Sequence, residues 1–279
     1  MRIQRSIRQY RIVGALLLVF FILSCAMTPE QSAKTKAATA EFTVDLPNLP
    51  QGAVPLRLVR ISPGSFLMGS PESEAGREAN EGPQHRVMIS KDFYLGAYEI
   101  TQAQWKALMG NNPSTDAGRD FPVNKVSWDD CQHFIRQLNS LKTGGCFRLP
   151  TEAEFEYAAR AGTQTASYLG NDVSDEDWEK YAWFRNNSDG ELHSVGQLKP
   201  NPLGLYDLFG NVWEWCQDWY GPYSPDPQID PIGMDWGEEK VMRGSSWMGR
   251  PEYLRSADRG KFPPDSQRNT GGLRIAWSE

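Results

Sequence analysis

Residues 210 to 220, GNVWEWCQDWY, place polar groups that could do chemistry among large apolar side chains. Glu214 stands between Trp213 and Trp215, and Cys216 follows directly. A carboxylate buried between two indoles costs free energy unless a partner compensates its charge. The alternative is a strand on which Glu214 faces outward while the two tryptophans face inward. The stretch therefore poses two questions, which are what compensates Glu214 and whether Cys216 is reactive.

The remaining cysteines and the histidines give little sign of a catalytic or metal centre. Besides Cys25, the chain contains Cys131, Cys146 and Cys216, and no cysteine follows Cys216. There is no C-x-x-C spacing, which argues against a zinc or thioredoxin-like site. One disulfide could form in an oxidising compartment, and the sequence leaves its pairing open. For the three widely spaced histidines we expect ordinary hydrogen bonding at the surface or in the core.

The amino-terminal residues predict export. The chain of 279 residues begins MRIQRSIRQYR, with four arginines and no acid, and continues with an apolar run that ends at Ser24-Cys25. This order predicts a signal peptide over residues 1–24, and its end resembles a bacterial lipobox, in which Cys25 would carry the lipid. A plain signal peptide or a short anchor helix is the alternative. We expect an exported, membrane-anchored lipoprotein, periplasmic or at the cell surface.

Charge excludes one class of partner. The net charge of the whole chain is −6, and removal of the four leader arginines takes it to −10. A nucleic-acid partner would need a basic face, so none is expected. Membrane contact is expected through the lipid anchor.

Composition divides the mature chain into a tether and a domain. Residues 25–53 are polar and rich in Ala, Thr, Lys and Pro, as in a linker, and the folded domain is predicted over residues 54–279. Capping-box patterns predict helices that start at Thr101, Ser127 and Thr151. Short strands are predicted at 63–70 and 85–90. Between residues 163 and 240, abundant Gly, Pro, Asn and Asp exclude long helices.

Seven motifs occur in an order that resembles one known family. They are PGSFLMGS, YEITQAQW, PVNKVSWDD, RLPTEAEFEYAAR, GLYDLFGNVWEW, RGSSW and GGLRIA. Together they resemble the formylglycine-generating enzymes, also called sulfatase-modifying factors, over residues 54 to 277. The resemblance implies an irregular α+β fold with little secondary structure, akin to the C-type lectin fold.

The same resemblance argues against the family's copper chemistry. Those enzymes oxidise a cysteine of a sulfatase to formylglycine and bind copper with two cysteines that follow the R-G-G-S motif. At those positions this chain has Gly249 and Leu254. Soft copper(I) prefers thiolates, and Ser246, which matches the motif's serine, cannot replace them. We therefore expect no copper and no formylglycine-generating oxidase activity.

The family's calcium site gives a candidate role to Glu214. Carried over position by position, the resemblance implies four ligands, two through side chains and two through main-chain carbonyls: Asp207, Gly210, Val212 and Glu214. A mixture of carboxylates and carbonyls suits calcium. A structural Ca²⁺ is therefore predicted, and the outward-facing strand position remains the alternative.

Two kinds of function remain open. In the first, the domain binds an unidentified protein, peptide or small molecule through a groove where the enzymes hold copper. The groove residues would be Ser246, Trp247, Met248, Gly249, Arg250, Tyr253 and Arg259. Variable proteins of diversity-generating retroelements share this fold and diversify this same segment, so this chain could be one of them.

The alternative is a periplasmic enzyme with different oxidative or maturation chemistry, in which Arg243, Ser246 and Glu252 would form a polar site. Solvated surface arginines are a third interpretation of Arg250, Arg255 and Arg259.

Overall fold

The computed structural model describes residues 40–141 and 144–279. The predicted signal peptide, Cys25 and the predicted tether up to residue 39 lie outside the described residues. In the described part no helix is long and apolar enough to cross a membrane.

Short strands and few helices make up the domain. The strands are β1 (Glu41–Val44), β2 (Leu56–Ile61), β3 (Gly64–Met68), β4 (His85–Ile89), β5 (Phe93–Gly96), β6 (Cys146–Arg148), β7 (Trp213–Trp219), β8 (Gln228–Ile229), β9 (Lys240–Arg243), β10 (Gly260–Phe262), β11 (Gly271–Gly272) and β12 (Ala276–Ser278). The helices are α1 (Gln102–Met109), α2 (Trp128–Asn139), α3 (Glu152–Arg160) and α4 (Asp175–Trp178). Single 3₁₀ turns lie at Ala79–Glu81 and Pro251–Tyr253. The irregular α+β fold expected from the sequence is confirmed, and so are the strands predicted at 63–70 and 85–90.

Three sheets organise these strands. Their orders are β1-β2-β5-β12-β6, β10-β9-β7-β11 and β3-β4-β8. The pairs are antiparallel except for β7 with β11 and β4 with β8. Residues far apart in sequence therefore meet in each sheet.

The domain begins earlier than the sequence predicts. β1 pairs antiparallel with β2, from Glu41 opposite Val59 to Val44 opposite Leu56. Phe42 packs edge-to-face on two aromatic rings of the same sheet, with ring centroids 5.0 and 5.2 Å away. The predicted boundary at residue 54 is therefore wrong. A polar composition hid a four-residue edge strand that alternates exposed and buried side chains.

All three predicted capping boxes are present, at Thr101, Ser127 and Thr151. At the start of α2, the Asp130 N–H donates to Ser127 Oγ at 3.0 Å, and the Asp130 carboxylate accepts from the Ser127 N–H at 2.9 Å. The short aspartate therefore closes the box as well as a longer acid does. On the same helix Cys131 is buried and His133 is exposed.

Strand β7 lies between two apolar clusters. Trp215 belongs to the cluster that contains Trp105 and Phe134, whose rings stack 5.1 Å apart. Cys216 belongs to the second cluster, with Phe155 and Phe209. Successive strand residues point to opposite faces, and the face that carries Glu214, Cys216 and Asp218 is buried throughout. The outward-facing position considered for Glu214 is therefore wrong.

Candidate functional site

Glu214 is compensated by an arginine from the far end of the chain. Its side chain is fully buried on β7, and Arg274 donates from Nη2 to Oε1 at 2.7 Å and from Nε to Oε2 at 2.9 Å. Arg274 also donates to the carbonyls of Gly96 and Tyr206, at 2.9 and 2.8 Å. No local sequence pattern predicts this partner. The sequence feature that could have indicated it is the single arginine, Arg274, inside the apolar motif GGLRIA.

Two further buried acids stand beside this ion pair. Glu99 accepts from the Val212 N–H and from the Asn211 side-chain amide, at 3.3 and 3.1 Å. Asp207 accepts from the Gly196 N–H at 2.7 Å through Oδ2, whereas its Oδ1 is buried with no partner among the described residues. The cluster thus holds three carboxyl groups against one guanidinium. The sequence analysis did not identify Glu99.

Burial raises the pKa of every acid in this cluster. It raises the pKa of Glu99 well above its usual value, and repulsion from Asp207 and Glu214 adds to the effect. It raises the pKa of Asp207 to about 6. The pKa of Glu214 is also raised by burial, although Arg274 opposes the change. The cluster therefore contains more acidic groups than its single guanidinium can compensate, and the raised pKa values reflect this.

The predicted calcium ligands lie in or beside this acidic cluster, but not all of their oxygens are free to bind a metal ion. Asp207 offers an oxygen without a partner, whereas both oxygens of Glu214 are hydrogen-bonded to Arg274. Gly210, at φ 84°, lies so close to the Trp183 backbone that a side chain there would overlap it. Across residues 40–141 and 144–279, no three His, Cys, Asp or Glu side chains form a group that could hold a metal ion. A calcium ion would therefore rely on Asp207 together with main-chain carbonyls such as those of Gly210 and Val212.

The predicted binding segment after β9 has a firmly held backbone. The Trp247 N–H donates to the Asn211 carbonyl at 2.9 Å, and Ser188 Oγ donates to the Trp247 carbonyl at 2.9 Å. The Gly249 carbonyl accepts from the Arg185 N–H, also at 2.9 Å. These bonds tie the segment to the loop that precedes β7.

Side chains of this segment differ in exposure. Met248 is 50% exposed, and Arg250 is exposed with its guanidinium 3.6 Å from Glu252. Trp247 and Tyr253 are half-buried, whereas Ser246 is 2% exposed and accepts from the Met248 N–H. Residues 247–253 therefore form one outer surface, which we call the C-terminal surface.

The two positions expected to match the copper-binding cysteines, Gly249 and Leu254, have structural roles in this chain. A Cβ built on Gly249 would overlap the Ser245 hydroxyl. Leu254 is 1% exposed and packs in the apolar cluster of Phe155 and Phe209. One position therefore has no room for a side chain and the other contributes to the core.

Arg259 does not lie with the rest of the predicted groove. It is 6% exposed and binds Glu152 through Nε at 2.6 Å and Nη2 at 2.9 Å. Its guanidinium contacts the rings of Tyr220 and Tyr223. Arg255 is likewise buried, and it donates to Glu81 at 2.5 Å. The interpretation of these two arginines as solvated charges is wrong, because each compensates a buried carboxylate.

The polar site considered for the alternative enzyme is not assembled. Arg243 is fully buried and donates to the Glu156 carboxylate at 2.5 Å and to the Ser256 carbonyl at 2.8 Å. Ser246 is buried, and Glu252 is exposed beside Arg250. The guanidinium of Arg243 therefore supports the core.

The three described cysteines, Cys131, Cys146 and Cys216, are all free. Cys131 and Cys216 are buried, and burial raises the pKa of each thiol well above its usual value. A reactive cysteine needs a stabilised thiolate. Cys216 is therefore a packing residue, which answers the question of its reactivity.

Hydrogen bonding accounts for the three histidines, as predicted. His85 Nδ1 lies 3.1 Å from the Pro83 carbonyl, and His193 Nε2 lies 3.0 Å from the Ser188 carbonyl. His133 is exposed, with Nε2 3.3 Å from the side-chain amide of Gln137.

A cavity of about 490 Å³ opens at the Trp219 end of β7. Its lining includes Glu152, Asp218, Tyr223 and Arg259, together with residues of the loop that contains β8. Of these residues, Arg259 was predicted to be functional, but in the groove after β9 and not in this cavity. In the sequence, the acid Asp218 within the motif WCQDWY was the feature that could have indicated this cavity.

Comparison with known proteins identifies the domain. Residues 47–279 match the family described as "Sulfatase-modifying factor enzyme 1-like domain". The chain is 34% identical over 192 residues to the formylglycine-generating enzyme of Streptomyces coelicolor, and the match covers 63% of this chain but only 59% of that enzyme. It is 30% identical over 258 residues to the chaperone protein LppX of Paenibacillus barcinonensis, covering 75% and 88% of the two chains.

Solved structures show the same fold. Variable protein 1 of Treponema denticola superposes with a TM-score of 0.75 at 27% identity, covering 85% of this chain and 99% of that one. PvdO from Pseudomonas aeruginosa superposes with a TM-score of 0.71 at 27% identity and the same coverage. The family match spans nearly all of the described residues and agrees with the fold. This chain belongs to the sulfatase-modifying factor family, whose domain is that of the formylglycine-generating enzymes.

Proposed function

We propose that this protein is exported, anchored to a membrane by a lipid on Cys25, and binds a protein, peptide or small-molecule ligand through its C-terminal surface. The observation that carries the proposal is the combination of a fixed backbone and outward side chains at residues 247–253. Main-chain carbonyls of the segment accept from Arg185 and Ser188, while Met248 and Arg250 remain exposed.

This combination suits recognition for two physical reasons. A backbone held by a rigid scaffold lowers the entropy lost when a ligand binds. Aromatic residues, Met and Arg are also enriched in binding interfaces, and the surface presents Trp247, Met248, Arg250 and Tyr253. One relative is named as a chaperone protein and one structural neighbour as a variable protein, and both names support a binding role.

Gly249 and Leu254 support a function other than copper-dependent oxidation. A side chain at Gly249 would displace the Ser245 hydroxyl, and a thiolate at Leu254 would lie in an apolar cluster. A thiolate in such surroundings is disfavoured by desolvation. We therefore propose that the fold has been kept for recognition and that copper is not its cofactor.

The test is site-specific photo-crosslinking in the native cells. A photoreactive residue at Met248 is expected to capture a partner that the same residue at exposed Lys106, on α1, does not capture. The purified partner should then bind the wild-type domain and lose at least tenfold in affinity on Met248→Asp. Equal capture at both positions, or unchanged affinity of the variant, would contradict the proposal.

The lipid anchor has a test of its own. Cys25→Ser should move the protein from the membrane fraction to the soluble fraction.

We further propose a structural calcium ion held by Asp207 with main-chain carbonyls, next to Glu214. The support is the partnerless oxygen of Asp207 and the excess of carboxyl groups over guanidinium in this cluster. A divalent cation would neutralise that excess. Calcium should raise the melting temperature of the purified protein after chelator treatment, and Asp207→Ala should abolish the effect. An identical melting temperature with calcium and with chelator would sink this idea.

A further inference from the structure

The cavity at the Trp219 end of β7 has the size and the entrance of a small-ligand site. Its volume of about 490 Å³ falls in the range typical of ligand pockets. The rim includes three apolar side chains that solvent reaches, Ile229, Ile232 and Met234, with exposed fractions of 68%, 67% and 46%. Such a grouping of exposed apolar side chains commonly marks a binding site.

The lining contains a carboxyl group that uses only one of its two oxygens in a hydrogen bond within the protein. Asp218 is 3% exposed, and its Oδ2 accepts from the Glu152 N–H at 2.9 Å. Its Oδ1 accepts no hydrogen bond from the described residues, and the residue lines the cavity. This oxygen is therefore available to a ligand, and a hydrogen bond from a cationic donor to a carboxylate is among the stronger ones.

The positive charge of Arg259, which lines the cavity, is already compensated by Glu152, so it does not favour an anionic ligand. Arg259 donates to both oxygens of Glu152 and to the carbonyls of Asn80 and Gly221. Its charge is thus balanced inside the wall. Two further acids, Asp218 and Asp230, line the same cavity. The lining therefore carries an excess of acidic groups, which favours a positively charged ligand.

We propose that this cavity binds an organic cation, in which an ammonium group pairs with Asp218 and an apolar body contacts Ile229, Ile232 and Met234. A free amine and the lysine side chain of a bound peptide share this chemistry.

The cavity is separate from the C-terminal surface. In the ladder between β7 and β9, Trp219 pairs with Lys240 and Glu214 pairs with Arg243. The cavity lies at the Trp219 end, whereas residue 247 follows the Arg243 end. At about 3.3 Å per residue, five residues of β7 span roughly 16 Å. The cavity proposal therefore does not depend on the proposed function of the other surface.

Proton release offers a readout beyond affinity. Burial and repulsion from Glu152 raise the pKa of Asp218 to about 8, Glu154 adds to the rise, and Lys240 opposes it. At pH 7 the carboxyl group therefore holds a proton in the free protein. Pairing with an ammonium group stabilises the carboxylate, so binding at pH 7 should release that proton.

Isothermal titration calorimetry of the purified protein with benzylamine tests the proposal, with benzyl alcohol and benzoate as the neutral and anionic controls. Benzylamine should bind at least tenfold more tightly than either control. Titrations at pH 7 in two buffers of different ionisation enthalpy should show release of up to one proton. An acetylated and amidated Leu-Lys-Leu peptide represents the lysine side chain, and tight binding by either amine supports the proposal.

Matched variants separate the cavity from the rest of the surface. Asp218→Asn keeps an acceptor for the Glu152 N–H, and it should weaken benzylamine binding at least tenfold and abolish proton release. Ile232→Ala should weaken binding severalfold. Trp236→Ala, at a 77% exposed residue outside the described lining, should have no effect, and neither should Met248→Asp on the other surface. Unchanged affinity of Asp218→Asn for benzylamine, or binding of benzoate in preference to both amines, would overturn the proposal.

Discussion

Glu214 and Arg274 show how one buried charge determines its surroundings. Both side chains have no exposure, and their oxygens and nitrogens meet at 2.7 to 3.1 Å. Removal of one partner leaves an uncompensated charge in the core, which typically costs about 3–5 kcal/mol. Because Arg274 is the cation of a cluster with three carboxyl groups, we expect Arg274→Ala to lower the free energy of unfolding by about that amount, measured by urea titration.

The exposed pair Lys180 and Asp177 is the matched control for that prediction. Its atoms are also close, at 2.9 Å, but solvent reaches both side chains. Asp177→Ala should therefore leave the urea midpoint unchanged. A similar loss in both pairs would show that burial is not the reason for the first.

The sequence could predict that Glu214 needs compensation, because a carboxylate between two indoles is costly wherever they lie. It could not predict Arg274, which comes from 60 residues further along the chain. The same limit applies to Glu152 with Arg259, where the two residues lie 107 positions apart. Pairs of this kind depend on the sheet order, which local patterns do not encode.

Asp258 should make stability depend on pH. Burial raises its pKa to about 7, although Arg255 and Arg243 oppose the rise and Glu81 and Glu78 add to it. The folded protein therefore binds a proton that the unfolded chain has already released, from about pH 4 upward. Between about pH 4 and pH 7 this group lowers stability as the pH rises, by at most about 1.4 kcal/mol per pH unit.

Asp258→Asn removes this titration, so it should flatten the pH dependence in that window. The quantity to compare is the free energy of unfolding of the wild type minus that of the variant, measured at pH 5, 6 and 7. This difference should decrease as the pH rises. A difference that is constant or increases with pH would contradict the raised pKa of Asp258.

At the scale of elements, the helix starts were predictable because a capping box is local. Four residues contain both the hydroxyl and the returning side chain, as in Ser127 to Asp130. Ser127→Ala removes the acceptor for the Asp130 N–H, and losses at such caps are about 0.5–2 kcal/mol. We expect a loss of about 1 kcal/mol in a thermal or urea titration.

Ser174 provides the control, because it caps the four-residue helix α4 at an exposed position. Ser174→Ala should destabilise the fold less than Ser127→Ala, since α4 presents one buried residue and α2 presents four. The reverse order would mean that caps do not limit the stability of α2.

The strands were less predictable than the helices, and for physical reasons. β8 and β11 contain two residues each, too few to show an alternating pattern. β7 carries large side chains on both faces because it separates two apolar clusters. An alternating pattern shows which side chains face the core only when one face of the strand meets solvent. The tryptophans of this motif helped to identify the fold, but for this reason they did not show that Glu214 faces the core.

At the scale of the whole molecule, β7 joins the candidate sites. Its second residue, Glu214, belongs to the acidic cluster with Glu99 and Asp207, and its last residues, Asp218 and Trp219, line the cavity. The C-terminal surface is tied to the loop that precedes β7 through Asn211. The sites proposed above therefore lie in loops at the two ends of β7. The motif GNVWEW drew attention to this stretch of the sequence, but the cavity also requires the loop around β8, whose position only the structure shows.

The strand that opens the domain gives a last test of its extent. Val44 and Leu46 are 4% and 8% exposed, and Phe42 packs on Tyr94 and Trp277. A chain that begins at residue 54 loses these contacts and leaves the edge of β2 unpaired. Two buried aliphatic side chains contribute about 3–6 kcal/mol, a large share of a typical total of roughly 5–15 kcal/mol.

A chain that begins at residue 40 should therefore unfold cooperatively in urea, followed by tryptophan fluorescence, whereas one that begins at residue 54 should unfold at a much lower midpoint or aggregate. A third chain that begins at residue 40 and carries Val44→Asp separates the buried contact from mere length, and it should resemble the shorter chain. If all three chains unfold at the same midpoint with the same slope, β1 is not part of the stable domain. Because β1 is the edge strand beside β2, its loss exposes main-chain groups as well as the core, so self-association should accompany the loss of stability.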